Sequence, residues 1–194
     1  STSRGPEAAH VAAAAVSDPD HQYYGRVKVQ FADGKTYHVR PTRIVRVCGD
    51  WQRTVLLCGD TNQYRDVARS QVRASDFVVE IGSSYGVCTD MIAKRGARVI
   101  GVEISEEAVA SACAKFPSVE FQCFDAVTRT EQLEAVATGC DKLFLDVGGD
   151  RDLPALLHLL VFLQEQLRPQ LVVLKSKKLL AHMQRHQGSH TCDS

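Results

Sequence analysis

The chain lacks the features that would set it apart from ordinary globular proteins. Its 194 residues carry no net charge, since 23 Lys and Arg balance 23 Asp and Glu, so no global attraction to nucleic acid or membranes is predicted. No apolar run reaches the roughly 18 residues of a membrane span, and the first residues show no secretory pattern. With 44% hydrophobic residues, the chain is expected to form its own core without disulfides.

Cysteine and histidine spacing gives no metal motif. The seven cysteines are odd in number and include no C-x-x-C pair. This predicts free thiols in a reducing, intracellular compartment and no structural zinc. His182, His186 and His190 recur every four residues, but no Cys or carboxylate accompanies them closely. A solvated helix end is therefore favoured over a metal site.

The zero net charge hides two regions of opposite sign. Residues 22–73 hold ten basic and four acidic residues, a balance of +6. Residues 74–151 hold seven basic and thirteen acidic residues, a balance of −6. This separation indicates that the basic front and the acidic middle have different tasks.

The front of the chain is predicted to be a small β module. Residues 1–21, Ala-rich and then polar, are expected to be a flexible lead-in. Residues 22–60 alternate polar and apolar side chains, as strands with one buried face do. Two hairpins are expected there, turning at 33–34 and 49–50, and together they predict a four-stranded antiparallel module whose apolar face docks on the main domain.

Residues 61–187 are predicted to form an α/β domain, with a polar tail over 188–194. Short continuous apolar runs alternate with helical patterns, as expected for strands that helices cover on both faces. The order implies a doubly wound, mostly parallel sheet. The predicted strands are 77–81, 99–102, 119–123, 142–146 and 171–174, and the predicted helices are 61–73, 87–95, 106–115, 131–137 and 153–167.

Three acids accompany a glycine-rich loop at successive strand ends. Glu80 lies two residues before Gly82, Glu103 ends the next strand, and Asp125 follows the third. A ligand outside these strand ends would meet exposed backbone N–H groups, and Glu103 is placed to accept from ribose hydroxyls. A carboxylate at Glu80 would repel a pyrophosphate and suit an ammonium or sulfonium, as in S-adenosylmethionine. Each acid alone could be a helix cap or a solvated carboxylate, whereas three together favour a site.

The motifs then resemble a known family. Glu80-Ile-Gly-Ser-Ser-Tyr-Gly86, Val-Ile-Gly-Val-Glu103-Ile-Ser, Phe-Asp125-Ala and Leu-Phe-Leu-Asp146 are similar, in order and spacing, to the class I S-adenosylmethionine-dependent methyltransferases over about residues 62–180. Gly86-Val-Cys-Thr89 and Lys94-Arg-Gly-Ala97 also resemble the FtsJ-like branch of RNA methyltransferases. The resemblance implies S-adenosylmethionine as cofactor and S-adenosylhomocysteine as product.

The resemblance also assigns roles to individual residues. Glu103, with Ile104 beside it, would bind the ribose, and Asp125 with Ala126 would bind the adenine. Asp146 lies at the rim nearest the transferred methyl. The loop that would hold the methionine portion consists of Gly82, Ser83, Ser84, Tyr85 and Gly86.

Asp146 and Lys175, at neighbouring strand ends, resemble the central pair of the Lys-Asp-Lys-Glu set of RNA 2′-O-methyltransferases. Burial could lower the Lys175 pKa toward that of a useful base. Alternatively, Lys175 merely neutralises Asp146 or points to solvent. The first Lys and the final Glu of that set cannot be assigned. Arg65, Arg69 and Arg73 occupy the region where the first Lys is expected. Asn-Pro-Pro-Tyr, which would mark an amino-group methyltransferase, is absent.

The chain departs from the family pattern after its fifth predicted parallel strand. Only about 20 polar residues follow, so the fold is expected to lack the C-terminal β-hairpin of the family. Either that hairpin is absent or another chain supplies the sheet edge, as in a homodimer.

The basic module suggests a partner. Its cations could contact RNA phosphates, with Tyr23, Tyr24 or Trp51 as stacking surfaces. The alternative is a solvent-exposed β-sheet face whose positive charges balance the negative charge of the acidic domain by docking on it. A methyltransferase acting on RNA is the favoured interpretation, and a small-molecule or protein methyltransferase and a non-catalytic subunit of a larger assembly are the alternatives. The cations of the basic module that would contact RNA phosphates are Arg26, Lys28, Arg40, Arg43 and Arg46.

Overall fold

The structure is a computed structural model that describes residues 9–41, 44, 46–48, 54–147 and 153–187. Arg43, the turn predicted at 49–50, Trp51 and the tail 188–194 lie outside the described residues, as do the side chains of Arg46 and His186. The chain divides into two compact units, residues 1–46 and 47–194.

The N-terminal unit is a three-stranded antiparallel sheet in the order β1-β2-β3. Its strands are β1 (Ala9–Ala15), β2 (Val27–Phe31) and β3 (Thr36–Val39). The predicted turn between β2 and β3 is present, with Gly34 at a φ of +81° and its N–H donating to Phe31 at 2.9 Å. The prediction of a flexible lead-in over 1–21 is wrong for Ala9–Ala15, because pairing with β2 gives this Ala-rich segment a ladder that its weak β propensity does not reveal.

The second unit contains a seven-stranded sheet. Its strands are β4 (Arg46–Cys48), β5 (Thr54–Cys58), β6 (Phe77–Ile81), β7 (Arg98–Glu103), β8 (Glu120–Cys123), β9 (Lys142–Leu145) and β10 (Leu171–Lys175). They lie in the order β4-β5-β10-β9-β6-β7-β8, and the six from β5 to β8 are parallel. The predicted doubly wound α/β sheet is confirmed.

The helices follow the predicted alternation. They are α1 (Thr61–Gln71), α2 (Val87–Ala93), α3 (Glu106–Lys115), α4 (Thr130–Ala137), α5 (Leu153–Phe162), which continues as a π-helical turn over Leu163–Leu167, and α6 (Lys177–Gln187). Two begin at side-chain caps: Asp60 accepts from the N–H groups of Asn62 and Gln63, and Ser105 accepts from Ala108. Helices on both faces bury the central strands, so β9 is buried along its whole length.

The four-stranded module predicted over 22–60 needs a correction. Only its first hairpin, β2 and β3, belongs to the small sheet. β5 instead pairs in parallel with β10, with Thr54 opposite Leu171 and Cys58 opposite Lys175. Its consecutive apolar residues, Val55 to Cys58, are buried as in an interior strand.

The same pairing changes the expectation for the sheet edge. β10 has β9 on one side and β5 on the other. The position at which the sequence suggested a missing hairpin or a second chain is therefore filled by an N-terminal strand of the same chain. The reason that this edge gave for a homodimer no longer applies.

Candidate active site

The carboxyl ends of the parallel strands surround one cavity. Ile81 pairs with Val102 on one side and with Leu145 on the other, so the ends of β6, β7 and β9 lie at one rim of the sheet. The cavity there has a volume of about 360 Å³. Such a crevice, at the point where the strand order reverses, is where α/β sheets bind small molecules.

The glycine-rich loop forms one wall and is held close to the sheet. The N–H groups of Gly82 and Ser83 both donate to Val102, at 2.8 and 3.1 Å. Gly82 has a φ of +82°, and a Cβ there would overlap the Asp146 carbonyl, so only glycine fits. Ser84 also has a positive φ, +49°, at the position where the usual motif has glycine.

Glu103 is oriented by three backbone N–H groups. Its Oε2 accepts from Ser84 at 2.9 Å, and its Oε1 accepts from Ile104 at 2.8 Å and from Ser105 at 3.0 Å. The carboxylate lines the cavity beside Gly82, Ser84 and Ile104. Because each carboxylate oxygen has about two acceptor positions, Oε2 keeps one for a ligand hydroxyl.

Asp125 and Ala126, which follow β8, also line the cavity. The Asp125 carboxylate accepts from the N–H of Val127 at 3.1 Å, which fixes the turn into the next segment. Ala126 is buried at 5% exposure. These two residues therefore lie where the sequence placed them, in the same cavity as Glu103.

Glu80 does not face the cavity, contrary to expectation. Its side chain is 1% exposed and lies on the face of β6 that α1 and α2 cover. Thr89 Oγ1 donates to it at 2.6 Å, and the Tyr64 hydroxyl donates at 3.3 Å. Since side chains alternate along a strand, Glu80 points away from the face of Val79 and Ile81.

The pKa of Glu80 is raised to about 7, mainly by burial and also by the nearby charge of Asp146, while hydrogen bonds from Thr89, Cys88 and Tyr64 oppose the rise. The three acids therefore do not converge: Glu103 and Asp125 line the cavity, and Glu80 lies behind it. The electrostatic reason that Glu80 gave for preferring a sulfonium to a pyrophosphate is withdrawn.

Three loop residues of the predicted cofactor set are also absent from the cavity wall. Ser83 is buried, with its Cβ against Gly101. The Tyr85 side chain is 51% exposed. Gly86 has a φ of +74° and precedes α2, where a Cβ would lie 2.6 Å from the Phe121 ring. These residues shape the loop, and Gly82 and Ser84 are its members that line the cavity.

The expected pair of Asp146 and Lys175 is present. Lys175 Nζ lies 2.5 Å from Asp146 Oδ2, at the ends of the adjacent strands β9 and β10. The two side chains are 20% and 24% exposed, so the pair is sheltered without being sealed off. Asp146 also lines the cavity, so the pair stands beside the predicted cofactor position.

The sequence reasoning missed Thr61. Its Oγ1 accepts a hydrogen bond from Lys175 Nζ at 3.2 Å, so this ammonium lies between a carboxylate and a hydroxyl. Thr61 reaches the rim because β5 is parallel to β10 and α1 starts just after it. The run of apolar residues in β5 was the available signal, since it indicates an interior strand.

The α1 arginines found where the first Lys of the Lys-Asp-Lys-Glu set is expected make contacts of their own. Arg69 pairs with Asp66 on α1 at 2.7 Å. Arg65 is half-buried, and its guanidinium lowers the pKa of the Cys88 thiol while burial, the larger effect, raises it. Within the described part of the chain, no group of three metal-ligating side chains is found.

The described helices include none with both the length and the apolar character needed to cross a bilayer. Among the cysteines whose side chains the structure describes, five are free thiols: Cys58, Cys88, Cys113, Cys123 and Cys140.

The fold has known counterparts. A SAM-dependent methyltransferase from Agrobacterium tumefaciens superposes with a TM-score of 0.50 at 17% sequence identity, over 77% of this chain and 59% of that structure. Together with the strand order and the rim cavity, this likeness shows that the chain has the class I methyltransferase fold.

Sequence relatives narrow the comparison. Over 74 residues the chain is 38% identical to the ribosomal RNA small subunit methyltransferase A of Thermotoga neapolitana, and equally to that of Thermotoga maritima. The match spans 37% of this chain, and only 28% and 26% of the length of those two relatives. No protein-family model matches the chain.

Proposed function

We propose that this protein is an S-adenosylmethionine-dependent methyltransferase that acts on RNA. The observation that carries the proposal is one cavity that Glu103 and Asp125 line, with the Asp146–Lys175 ion pair at its rim. One wall thus offers hydrogen-bond acceptors for a nucleoside, and the edge offers groups that can handle a proton.

The donor set fits the proposed cofactor. A volume of about 360 Å³ lies within the usual range for small-molecule sites, roughly 300–1,000 Å³. Glu103 Oε2 would accept from a ribose hydroxyl, and Asp125 would accept from the adenine amino group. Gly82 and Ser84 would border the methionine portion. When bound, S-adenosylmethionine supplies a methyl group on a sulfonium, which a nucleophile attacks in line.

The ion pair is proposed to serve the methyl acceptor. A hydroxyl nucleophile must lose its proton as it attacks, so a group at the rim has to orient it and receive that proton. Asp146, which lines the cavity, and Thr61 together fix the position of Lys175 Nζ. We assign receipt of the proton to the Asp146 carboxylate and orientation of the hydroxyl oxygen to the Lys175 ammonium, with Thr61 as a positioning residue.

RNA is proposed as substrate because both curated relatives are named as ribosomal RNA methyltransferases. The alternative of a non-catalytic subunit rested on the missing hairpin beside β10, a position that β5 fills, and on the incomplete Lys-Asp-Lys-Glu set, which still favours it. The FtsJ-like branch stays a prediction from the motifs at 86–89 and 94–97.

The test is methyl transfer from radiolabelled S-adenosylmethionine to cellular RNA by the purified full chain. Lys175→Met is expected to lower kcat by roughly 10²–10⁴-fold, the usual contribution of general acid–base groups, while the cofactor Kd changes little. Lys177→Met, an exposed lysine at the start of α6, is the matched control and should keep full activity.

Two results would contradict the proposal. One is the absence of labelled RNA when protein or small-molecule acceptors are labelled instead. The other is a Lys175→Met variant as active as Lys177→Met, which would leave Lys175 a merely neutralising partner of Asp146.

A further inference from the structure

The small N-terminal sheet has two chemically different faces. Its register places Lys28 opposite His38 and Gln30 opposite Thr36. Arg26 and Arg40 flank the Val27–Val39 pair just outside the strands, and continued alternation of side chains would place both on the face of Lys28 and His38. The other face is apolar and carries Val27, Val29, Phe31, Tyr37 and Val39.

An aromatic ring lies on the polar face. The Tyr23 ring stacks on the His38 ring with centroids 4.1 Å apart and planes 8° from parallel. His21 lies next to it, with its centroid 5.7 Å from that of Tyr23. Both stacked side chains are half-buried, so neither ring is covered completely.

The backbone fixes this ring in place. The N–H of Tyr23 donates to His21 Nδ1 at 3.1 Å, and the N–H of Arg26 donates to the Tyr23 carbonyl at 2.9 Å. Gly25, at a φ of +70°, closes the turn by donating to Val16 at 2.9 Å. The ring therefore sits on a preformed turn and not on a free tail.

The charges along the strands of this face have one sign, whereas the turn that holds Tyr23 also contains Asp18 and Asp20. Strands β2 and β3, together with the flanking residues Arg26 and Arg40, contain three cations, Arg26, Lys28 and Arg40, and no Asp or Glu. Asp33, at the hairpin turn, pairs with Lys35 at 2.7 Å. A polyanion with flat rings matches such a face, because cations contact phosphates and an aromatic ring stacks on a base. A duplex keeps its bases inside its own stack, so a single strand fits better.

We propose that the polar face of Tyr23, Arg26, Lys28, His38 and Arg40 binds single-stranded RNA. A base stacks beside the Tyr23–His38 pair, and the backbone phosphates run along the cations. This surface deepens the proposed function by naming the form of the RNA partner. Binding itself needs neither cofactor nor catalysis, so the two proposals can fail separately.

The experiment is fluorescence anisotropy of a labelled 12-nucleotide single-stranded RNA with the full chain, without cofactor, between 50 and 200 mM salt. Three phosphate contacts predict a log–log slope of about −2, hence roughly a twentyfold loss of affinity over this range. Lys28→Ala should weaken binding and reduce the slope by about 0.7. Lys35→Ala, in the same unit but paired at the hairpin turn, should leave both unchanged.

Stacking is tested with three Tyr23 variants. Tyr23→Phe keeps the ring and should bind as the parent does. Tyr23→Leu keeps apolar bulk, and Tyr23→Ala removes it, and both should lose roughly tenfold in affinity. Circular dichroism of each variant reports whether the fold is kept, and if Tyr23→Ala unfolds, Tyr23→Leu decides.

The proposal is overturned if affinity does not depend on salt, if Lys35→Ala weakens binding as much as Lys28→Ala, or if Tyr23→Leu binds as tightly as Tyr23→Phe. Equal affinity for duplex RNA also overturns it. RNA binding that follows these predictions, together with no methyl transfer, would refute the proposed function and leave this surface standing.

Discussion

At the scale of single residues, Glu80 shows that a shift of one position along a strand turns a cavity-lining residue into a buried structural one. It lies next to Ile81, which lines the cavity, yet its carboxyl is enclosed by Tyr64, Cys88 and Thr89. The network ties β6 to α1 and α2, directly before the glycine-rich loop. Glu80 thus supports the loop from behind and is not among the residues that line the cavity.

The Glu80 network predicts a pH-dependent stability. Its folded-state pKa, about 7, lies above its ordinary value of 4.5, so the folded protein binds this proton more tightly than the unfolded chain. The resulting stabilisation is complete below pH 4.5 and is lost as the pH rises through 7. The predicted loss is about 3 kcal/mol, at 1.36 kcal/mol per pKa unit.

Urea unfolding between pH 4 and pH 8 measures this effect. The free energy of unfolding of the parent, relative to Glu80→Gln, should fall by that amount as the pH rises. Glu107→Gln, an exposed carboxylate on α3, should show no such difference from the parent. A parent and a Glu80→Gln variant with parallel pH profiles would contradict the assignment.

At the scale of elements, a buried ion pair at the other end of the sheet joins three segments. Lys142, the first residue of β9, pairs with Asp76 before β6 and donates to the Gln71 carbonyl at 2.5 Å. Both charged side chains are about 10% exposed. Asp76 also accepts from the N–H of Arg73, at 2.6 Å.

Lys142→Met should destabilise the protein by about 3–5 kcal/mol, because it leaves the Asp76 carboxylate buried and unpaired. Lys94→Met is the control, since Lys94 pairs with Asp90 at 2.7 Å but is 72% exposed, and its loss should cost less than about 1 kcal/mol. Denaturant unfolding measures both. An equal loss of unfolding free energy in the two variants would show that burial does not increase the contribution of the Lys142 ion pair to stability.

Local sequence patterns predicted the helices and strands better than they predicted which strands pair with each other. The strand 77–81 and the helix start at 61 coincide with the structure because apolar runs and helical patterns are local signals. β5 was assigned to a hairpin because a turn signal preceded it, whereas its actual neighbour β10 lies more than 100 residues later. Strand pairing over that distance leaves no mark in a local pattern.

The same distinction explains the site. Glu103, Asp125, Asp146 and Lys175 could be predicted because parallel strands end at one rim. Glu80 could not, since the pattern does not say which face of β6 meets the cavity. Thr61 could not either, because its place depends on the pairing of β5.

At the scale of the whole molecule, each unit carries one of the proposed tasks. The 47–194 unit has the class I methyltransferase fold and the cavity with its ion pair. The N-terminal unit carries a cationic face with a stacked ring pair. The split of charge along the sequence is consistent with this, although the basic region extends to residue 73 and so includes α1.

Calorimetric titration of the full chain with S-adenosylmethionine, S-adenosylhomocysteine and NAD tests the central claim most directly. The account predicts saturable heat with the first two ligands, and NAD shows whether the cavity also accepts a pyrophosphate. Glu103→Gln should weaken cofactor binding by about 1–3 kcal/mol through a lost charged hydrogen bond, whereas Glu106→Gln, an exposed residue of α3, should not. No heat with either sulfur ligand, or an unchanged Kd for Glu103→Gln, would contradict the account.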